Sequence, residues 1–229
     1  MAETLKTFDA LVARLLAAGD LEAALPICRE ALALRRELRG RHHEETIASM
    51  VALASLLEKL DMDGVIPLLR ETLQACRATH GEGHPETIHA LNRLATHFAQ
   101  DGDLEAAECF YRDALAACDE LDPETRQPRS IASLHNLGAT LAAMGDLNEA
   151  EPLFFRALQA RRDVLGVLHP DTLLTMSNYG QLLADLGKHK AAANVLREAL
   201  HHSKAALGRV HPHSVVLTCN LAVLLADQV

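Results

Sequence analysis

A unit of about 42 residues recurs along this chain, and no other feature restricts its possible folds as strongly. Five related stretches each finish on a leucine, and the steps between successive leucines are 41, 42, 43 and 42 residues. These leucines are Leu32, Leu73, Leu115, Leu158 and Leu200. Between the stretches lies a second recurring family, of which SIASLHNLGATL and TLLTMSNYGQLL are typical. Each unit therefore has two halves, and both halves repeat.

Both halves carry apolar residues at i, i+3, i+4 and i+7, the spacing of an amphipathic helix. Each unit is therefore predicted to be a helical hairpin, in which Gly138 and Ala150 mark points of close approach between the two helices. Glycine is expected to end the first helix in a left-handed cap, and the aspartate that usually follows is expected to cap the second helix. These glycines are Gly19, Gly102, Gly145 and Gly187, followed by Asp20, Asp103 and Asp146 in the first three. The copy LDMDG lacks this glycine and is expected to turn differently.

The pattern predicts an all-α protein, a right-handed α-solenoid of stacked antiparallel helix hairpins with one unpaired helix at the end. The eleven predicted helices span residues 3–18, 20–38, 44–60, 63–79, 86–101, 103–119, 129–144, 146–165, 171–186, 188–207 and 213–227. We expect one domain over residues 1–229, with units at 1–40, 41–81, 82–123, 124–166, 167–208 and a half unit at 209–229.

A second motif marks the boundary between units, as in GEGHPET, GVLHPDT and GRVHPHS. The residue before proline is biased away from helix, and proline suits the first helical position, so His-Pro is predicted to end one helix and begin the next. The hydroxyl residue two positions later is expected to meet free backbone N–H groups. The copies are His84-Pro85, Gln127-Pro128, His169-Pro170 and His211-Pro212, with His43 as a copy without proline. Spaced once per unit, these histidines are not expected to converge into an active site.

Composition narrows the class of function. The net charge of −9 argues against general binding to nucleic acid phosphates, which needs clustered basic residues. The basic pairs Arg35-Arg36 and Arg161-Arg162 lie among acids within helical patterns, and we interpret them as solvated helix faces. The N-terminus does not resemble a secretion signal, and no apolar stretch reaches the ~20 residues that a membrane-spanning helix needs.

The sequence contains few motifs that indicate catalysis or the binding of a cofactor or metal. The five cysteines are odd in number and form no CxxC pair, which favours free thiols in a reducing, cytoplasmic setting. No phosphate loop, dinucleotide fingerprint or HExxH motif occurs, so we predict no enzyme activity and no cofactor. His201, His202 and His211 are the histidines best placed for a metal, but histidine near a helix C-terminus is common for electrostatic reasons, and we predict no metal site.

The signature of small residues identifies a family. Leu137-Gly138 in the first helix, with Ala150, Phe154 and Ala157 in the second, resembles the tetratricopeptide repeat. The longer unit, with EAEPLFFRALQARRDVLGVLHPDT as its best copy, is similar to the repeat of the kinesin light chain subgroup. The resemblance implies a non-catalytic scaffold whose first helices line a concave groove, where asparagine side chains hold the backbone of a partner's peptide.

The resemblance also implies a set of groove residues. The first of two key positions is Asn92, and the neighbouring units place Val51, His135, Ser177 and Cys219 there. Helical spacing adds further inward-facing residues, and the groove candidates are then Lys59, His89, Asn92, Thr96, His135, Asn136, Ser177, Asn178 and Gln181. Asn136 and Asn178 are alternatively bonded to backbone between repeats. Alanines along the fourth hairpin make its surface smooth, which favours a mixed or apolar ligand, either extended or helical.

An alternative function is that of a structural or regulatory subunit docked through its terminal helices or outer faces. The last predicted helix has no following partner, and its apolar residues include Leu221 and Leu225. Burial of such side chains is worth roughly 1.5–3 kcal/mol each, so we expect something to cover them. Self-association of two copies through this helix is one way to bury these side chains.

Overall fold

The computed structural model describes residues 2–119 and 123–226, without the side chains of residue 2 and of residues 123–129. The chain is all-α, and no strand occurs within these ranges. The helices are α1 (Ala2–Ala17), α2 (Leu21–Arg39), α3 (Glu44–Lys59), α4 (Val65–His80), α5 (Pro85–Gln100), α6 (Leu104–Asp119), α7 (Pro123–Met144), α8 (Leu147–Leu165), α9 (Pro170–Asp185), α10 (His189–Leu207) and α11 (Pro212–Ala226). The predicted α-solenoid class of stacked helix hairpins is confirmed, and ten of the eleven predicted helices agree with the structure within two residues at each end.

The start of α7 was predicted wrongly. The sequence pattern predicts a helix that begins at residue 129, whereas the backbone is helical from Pro123 onward. Proline is favourable at the first helical position, and Pro123 provides this start six residues earlier. Pro128 therefore lies inside the helix rather than at its beginning, and the Gln127-Pro128 copy of the boundary motif does not separate two helices.

The chain divides into two compact units, Met1–His97 and Phe98–Val229. In the first unit, α1 packs on α2, α2 on α3, and α3 on α4. Ion pairs also join alternate helices: Arg36 of α2 to Glu71 of α4 at 2.7 Å, and Arg93 of α5 to Glu58 of α3 at 2.7 Å. First helices are thus linked to first helices, and second helices to second helices, in two layers. The prediction of a single continuous domain stays a prediction.

The second unit repeats this arrangement. Consecutive helices from α6 to α11 pack on one another, and the first helices α7, α9 and α11 also contact in sequence. Gly138 permits the close approach predicted for it, since a Cβ there would lie 3.2 Å from the ring of Phe154. Gly180, at the same position of the next hairpin, lies closer still, with a Cβ 2.6 Å from Leu196. The core of this unit is aliphatic apart from Phe154 and Tyr111.

The turns within the hairpins confirm the role of glycine. Gly19, Gly102, Gly145 and Gly187 all have positive φ, between 71° and 94°. Asp20 and Asp103 accept hydrogen bonds from the backbone N–H three residues later, at 3.1 Å each. Asp146 makes no such side-chain bond. The LDMDG copy does turn differently, with Asp61 at φ 50° and Gly64 at φ 97°.

The boundary motif works through different atoms than expected. The histidine ring caps the helix: Nδ1 of His43, His84, His169 and His211 accepts the backbone N–H two residues later at 3.2 to 3.3 Å. The hydroxyl residue donates backward instead of accepting. Thr87, Thr172 and Ser214 each donate to the carbonyl of the glycine six residues earlier, at 2.7 to 2.8 Å. Each bond therefore joins the end of one hairpin to the start of the next.

Candidate peptide-binding surface

An open pocket of about 400 Å³ lies between α1, α2 and α3 in the first unit. Apolar side chains form most of its wall, and four polar residues face the same space. The lining is Asp9, Val12, Ala13 and Leu16 from α1, Cys28, Ala31 and Arg35 from α2, and Glu45, Ala48, Ser49 and Ala52 from α3. The pocket thus opens between two first helices, with a second helix as its floor.

Arg35 is the electrostatic centre of this pocket. One of its Nη atoms lies 2.6 Å from both carboxylate oxygens of Asp9, and the other donates to Oγ of Ser49 at 2.9 Å. Its Nε lies 3.8 Å from a carboxylate oxygen of Glu45. The Arg35 side chain is only 9% exposed, whereas that of Asp9 is 57% exposed. The charge of a buried arginine is therefore balanced by a carboxylate that water, or a ligand, can reach.

The interpretation of the basic pairs as solvated faces was wrong for their first members. Arg35 and Arg161 are 7% and 8% exposed. Both stand three residues after the final leucine of their unit, a position that faces the interior of the hairpin. The second members, Arg36 and Arg162, are half-buried and pair with Glu71 and Glu198. A long arginine stem is readily buried when its head finds partners.

Arg161, in the second unit, bonds to a carbonyl and a hydroxyl group instead of a carboxylate. Its Nη1 donates to the Asp171 carbonyl at 2.7 Å and to the hydroxyl of Thr175. The predicted groove residue His135 lies in the same cluster, with Nδ1 3.3 Å from Oγ1 of Thr175. Its ring meets the ring of Phe154 edge-on, with centroids 5.4 Å apart. His135 is 6% exposed, so this cluster is part of the interior.

Burial controls the charge of His135. Desolvation, reinforced by the positive charge of Arg161, lowers the pKa of His135 to about 4. Its ring is therefore neutral at pH 7. The hydroxyl of Thr175 donates to the Asp171 carbonyl at 2.9 Å, which leaves its oxygen to accept a hydrogen bond from Nδ1–H of His135. Nε2 of His135 then accepts from Nδ2 of Asn178, 3.5 Å away.

The other groove candidates of the second unit differ in exposure. Ser177 is buried, Asn136 and Asn178 are half-buried, and Gln181 is exposed. Asn178 reaches the His135 ring of the preceding hairpin rather than a backbone group. Gln181 donates to Asp185 on its own helix at 2.9 Å. The structure thus brings His135 and Asn178 together and leaves Gln181 on the surface.

In the first unit, the candidates lie on α3 and α5. Lys59 and His89 are exposed, whereas Asn92 and Thr96 are half-buried. Asn92 donates to the Ile88 carbonyl at 3.0 Å, and Thr96 donates to the Asn92 carbonyl at 2.9 Å. None of the predicted groove residues lines the pocket described above.

The repeat register contains the signal that would have found this pocket. Asp9 stands ten residues before the turn glycine Gly19, as Asn92 stands ten before Gly102 and His135 ten before Gly145. Asp9 is therefore the first unit's version of the key groove position. The predicted key groove positions start at Val51, in the second unit, and therefore omit Asp9.

Helix α11 leaves apolar surface uncovered. Leu221 is half-buried against the core of the second unit, and Leu225 is 39% exposed. Val215, Val216 and Val223 are 49%, 50% and 62% exposed. The expectation of an apolar terminal face is therefore met for the described part of this helix, which ends at Ala226.

Three side chains could hold a metal ion, and they are not the histidines singled out from the sequence. Nitrogens of His80 and His84 and a carboxylate oxygen of Glu86 lie within 4.8 Å of one another. The rings of His201 and His202 are 5.5 Å apart. All five cysteines are free; Cys28, Cys76 and Cys118 are buried, whereas Cys109 and Cys219 are exposed. None of the described helices is long and apolar enough to cross a membrane.

Solved structures with the same fold include proteins of the kinesin light chain type. A Podosopora anserina protein described as a kinesin light chain with nearly identical TPR-like repeats is 20% identical, with a TM-score of 0.72 over 88% of this chain and 95% of that one. BtubC (BKLC) from P. vanneervenii is 26% identical, with a TM-score of 0.74 over 90% of this chain and 82% of that one. RapI in its apo form is 13% identical, with a TM-score of 0.78 over 98% and 84%.

No curated protein gives a significant match to the chain. The sequence model of the family described as "Tetratricopeptide repeat" matches residues 4–64, 61–120 and 129–205, which together cover most of the sequence. The small-residue signature, the helix hairpins and the boundary motif are thereby explained together, and the resemblance inferred from Leu137-Gly138 and its partners is confirmed. The chain belongs to the tetratricopeptide repeat family.

Proposed function

We propose that this protein is a non-catalytic scaffold that binds a segment of a partner protein on the surface formed by its first helices. The observation that carries this proposal is the open pocket between α1 and α3, with Arg35 and Asp9 at its base. Its volume of about 400 Å³ lies in the usual range for ligand sites. The fold itself supports protein–protein interaction in general, and the pocket supports the proposal that the partner binds beside α1 and α3.

The lining indicates what kind of segment the pocket accepts. Val12, Leu16 and Ala52 offer apolar surface for one or two aliphatic side chains. Asp9 and Glu45 expose carboxylate oxygens at the same site, and these accept hydrogen bonds from the backbone N–H groups of an extended peptide. We therefore expect a ligand of mixed polarity. The free cysteines are consistent with a cytoplasmic location, which we include in the proposal.

A variant in which a bulky side chain fills the pocket tests this function. Peptides that bind the full chain are first selected from a displayed random library, and their affinities are then measured by fluorescence polarisation. Ala52→Trp places an indole in the pocket, and we expect it to weaken binding at least tenfold, about 1.4 kcal/mol. Ala33→Trp is the matched control, because Ala33 is an exposed alanine of α2 outside the pocket lining.

Two results would contradict the proposal. One is that no peptide binds the full chain. The other is that the selected peptides bind the Ala52→Trp variant as tightly as the parent chain, since their site would then lie elsewhere. Loss of binding in the Ala33→Trp variant alone would place the site on the outer face of α2.

A second candidate function rests on the exposed face of α11. We propose that two copies pair through this face, for which Val216 and Val223, seven residues apart and therefore on one side of the helix, supply apolar surface. Sedimentation velocity over a range of concentrations measures the association. Val223→Glu is expected to abolish it. Leu38→Glu is the matched control, because Leu38 on α2 is also an exposed apolar residue, 42% against 62%. A chain that stays monomeric at all concentrations would rule this candidate out.

A further inference from the structure

The junction between α4 and α5 brings together three side chains that commonly bind metals. His80 is the last residue of α4, His84 caps α5, and Glu86 lies in the first turn of α5. The two imidazole rings stack with their centroids 4.2 Å apart and an angle of 18° between them. Nε2 of His80 lies 3.4 Å from a carboxylate oxygen of Glu86.

His80 has unused bonding capacity at this junction. Its Nε2 is buried, and within the part of the chain that the structure describes its 3.4 Å contact with Glu86 is not a hydrogen bond. A buried polar atom without a hydrogen bond costs about 1–3 kcal/mol, so such an atom calls for an explanation.

Comparison with the other junctions shows that this ligand set is particular to one of them. The residue before the junction glycine is Arg39, His80, Leu165 and Leu207 in the four junctions that contain such a glycine; the junction between α6 and α7 has none. The capping histidine is present in all four, and an acid follows it in three of them. The junction between α8 and α9 therefore has His169 and Asp171 but carries Leu165 in place of His80. The capping role accounts for the repeated histidine, and it does not account for His80.

The chemistry of this set fits zinc. Two imidazoles and one carboxylate are a common ligand set for Zn²⁺, with water as the fourth ligand. Metal–ligand bonds of about 2.0–2.1 Å place tetrahedral ligand atoms roughly 3.3 Å apart. The three atoms lie within 4.8 Å of one another, so side-chain rotations of modest size bring them to that spacing. The bond from the Glu86 N–H to His84 is long, at 3.3 Å, and little is lost if the ring turns.

We propose that His80, His84 and Glu86 form a binding site for one Zn²⁺ ion, which ties the end of α4 to the start of α5. This site is independent of the peptide pocket, none of whose lining residues takes part in it. A bound ion contributes stability only to the folded junction, so the melting temperature rises with zinc concentration.

Isothermal titration of the chelator-treated full chain with zinc chloride tests the proposal. We expect one high-affinity equivalent per chain. His80→Leu gives this junction the residue of its counterpart at 165, and it is expected to weaken zinc binding by at least about tenfold, since even the loss of a supporting residue costs 10–100-fold. Leu165→His supplies the missing ligand beside His169 and Asp171, and it is expected to add a second equivalent.

The control is His201→Gln, which removes a histidine from the His201–His202 pair and leaves the junction intact. Circular dichroism verifies that every variant remains helical. The proposal is overturned if the parent chain binds no zinc, if His80→Leu binds it as tightly as the parent, or if His201→Gln abolishes binding. If Leu165→His does not bind a second zinc ion, the residue before the junction glycine is not the ligand that decides whether a junction binds zinc.

Discussion

Arg35 and Arg161 occupy the same position of two hairpins and differ in the residue that the first helix places beside them. Arg35 pairs with the exposed carboxylate of Asp9 at the base of an open pocket. Arg161 donates to a backbone carbonyl and a threonine hydroxyl beside the neutral ring of His135, in the interior of the second unit. Asp9 and His135 in turn occupy the same position of the first helix.

The difference shows what one repeat position can do. Where the partner of the arginine is a carboxylate in contact with water, the hairpin keeps an accessible polar site. Where the first helix instead carries a neutral ring packed on Phe154, that ring bonds to Thr175 and Asn178 of the next hairpin. Charged groups that remain solvated contribute little to stability, whereas buried polar clusters contribute more and tolerate less change. The comparison therefore separates a polar site that is open to water from a buried cluster that links adjacent hairpins.

Truncation of His135 is the strongest test of the cohesive role. We expect His135→Ala to destabilise α7–α9 by about 3–4 kcal/mol, because it leaves a cavity beside Phe154 and removes a hydrogen-bond partner from Asn178. Native-state hydrogen exchange of the amides in these helices measures the loss. Exchange rates within a factor of two of the parent chain would show that this cluster does not hold the hairpins together.

Acid is expected to weaken the second unit through the same residue. The pKa of His135 is about 4 in the folded chain because of burial and Arg161, against about 6.5 for an unfolded histidine. The unfolded state therefore binds more protons between these values, and stability falls as the pH is lowered through 6.5. From pH 7.5 to 4.5 the contribution of this group is a loss of about 2–3 kcal/mol.

The contribution of His135 to the pH effect is obtained by comparing the parent chain with a variant that cannot titrate at this position. Urea unfolding is followed by circular dichroism at both pH values for the parent chain and for His135→Gln, which cannot titrate. The parent should lose about 2–3 kcal/mol more than the variant. Equal losses in the two proteins would mean that His135 is not held neutral by its surroundings.

Loss of Asp9 should have a smaller effect on stability. Asp9→Ala removes the partner of Arg35, but the carboxylate is largely solvated and Ser49 and Glu45 remain beside the guanidinium. We expect a cost of about 1 kcal/mol, at the upper end for exposed ion pairs. Hydrogen exchange in α1–α3 provides the measurement. A cost as large as that of His135→Ala would erase the distinction between the two sites.

The smallest effect concerns thiol reactivity at the pocket. Burial raises the pKa of Cys28, the positive charge of Arg35 opposes this rise, and Asp9 adds to it. Asp9→Asn is therefore expected to speed alkylation of Cys28 by a small iodoacetamide about two- to threefold, which mass spectrometry quantifies. Cys76 is the internal reference, because burial and then Glu86 raise its pKa to about 11. A slower reaction of Cys28 in the variant would contradict this electrostatic account.

The sequence predicts the helices well because their ends are chemically marked. Glycines of positive φ and histidine caps fall at the same place in most units, so ten helices could be located closely. The exception, α7, has a boundary-like Gln-Pro that the backbone passes through as helix. A proline near a helix start is compatible with several helical registers, and the pattern alone does not choose among them.

The candidate site was harder to predict because its parts are distant in sequence. Asp9 and Arg35 are 26 residues apart, and His135 and Thr175 are 40 apart. Helical periodicity shows which face of a helix is apolar, but it does not show which arginine finds a partner across a hairpin. A basic pair therefore has the same appearance in sequence whether its first member is solvated, as predicted, or buried, as observed for Arg35 and Arg161.

The hydroxyl bond at the hairpin boundaries has a consequence for how such chains grow. Thr87, Thr172 and Ser214 each bond to a glycine only six residues away, so this part of the contact between two hairpins lies within one short peptide. A duplicated segment of about 42 residues would carry this bond with it, whereas the ion pairs between hairpins depend on the neighbouring copy. Lengthening of such a chain by duplication is therefore limited by the stacking surfaces of the hairpins rather than by the turns between them.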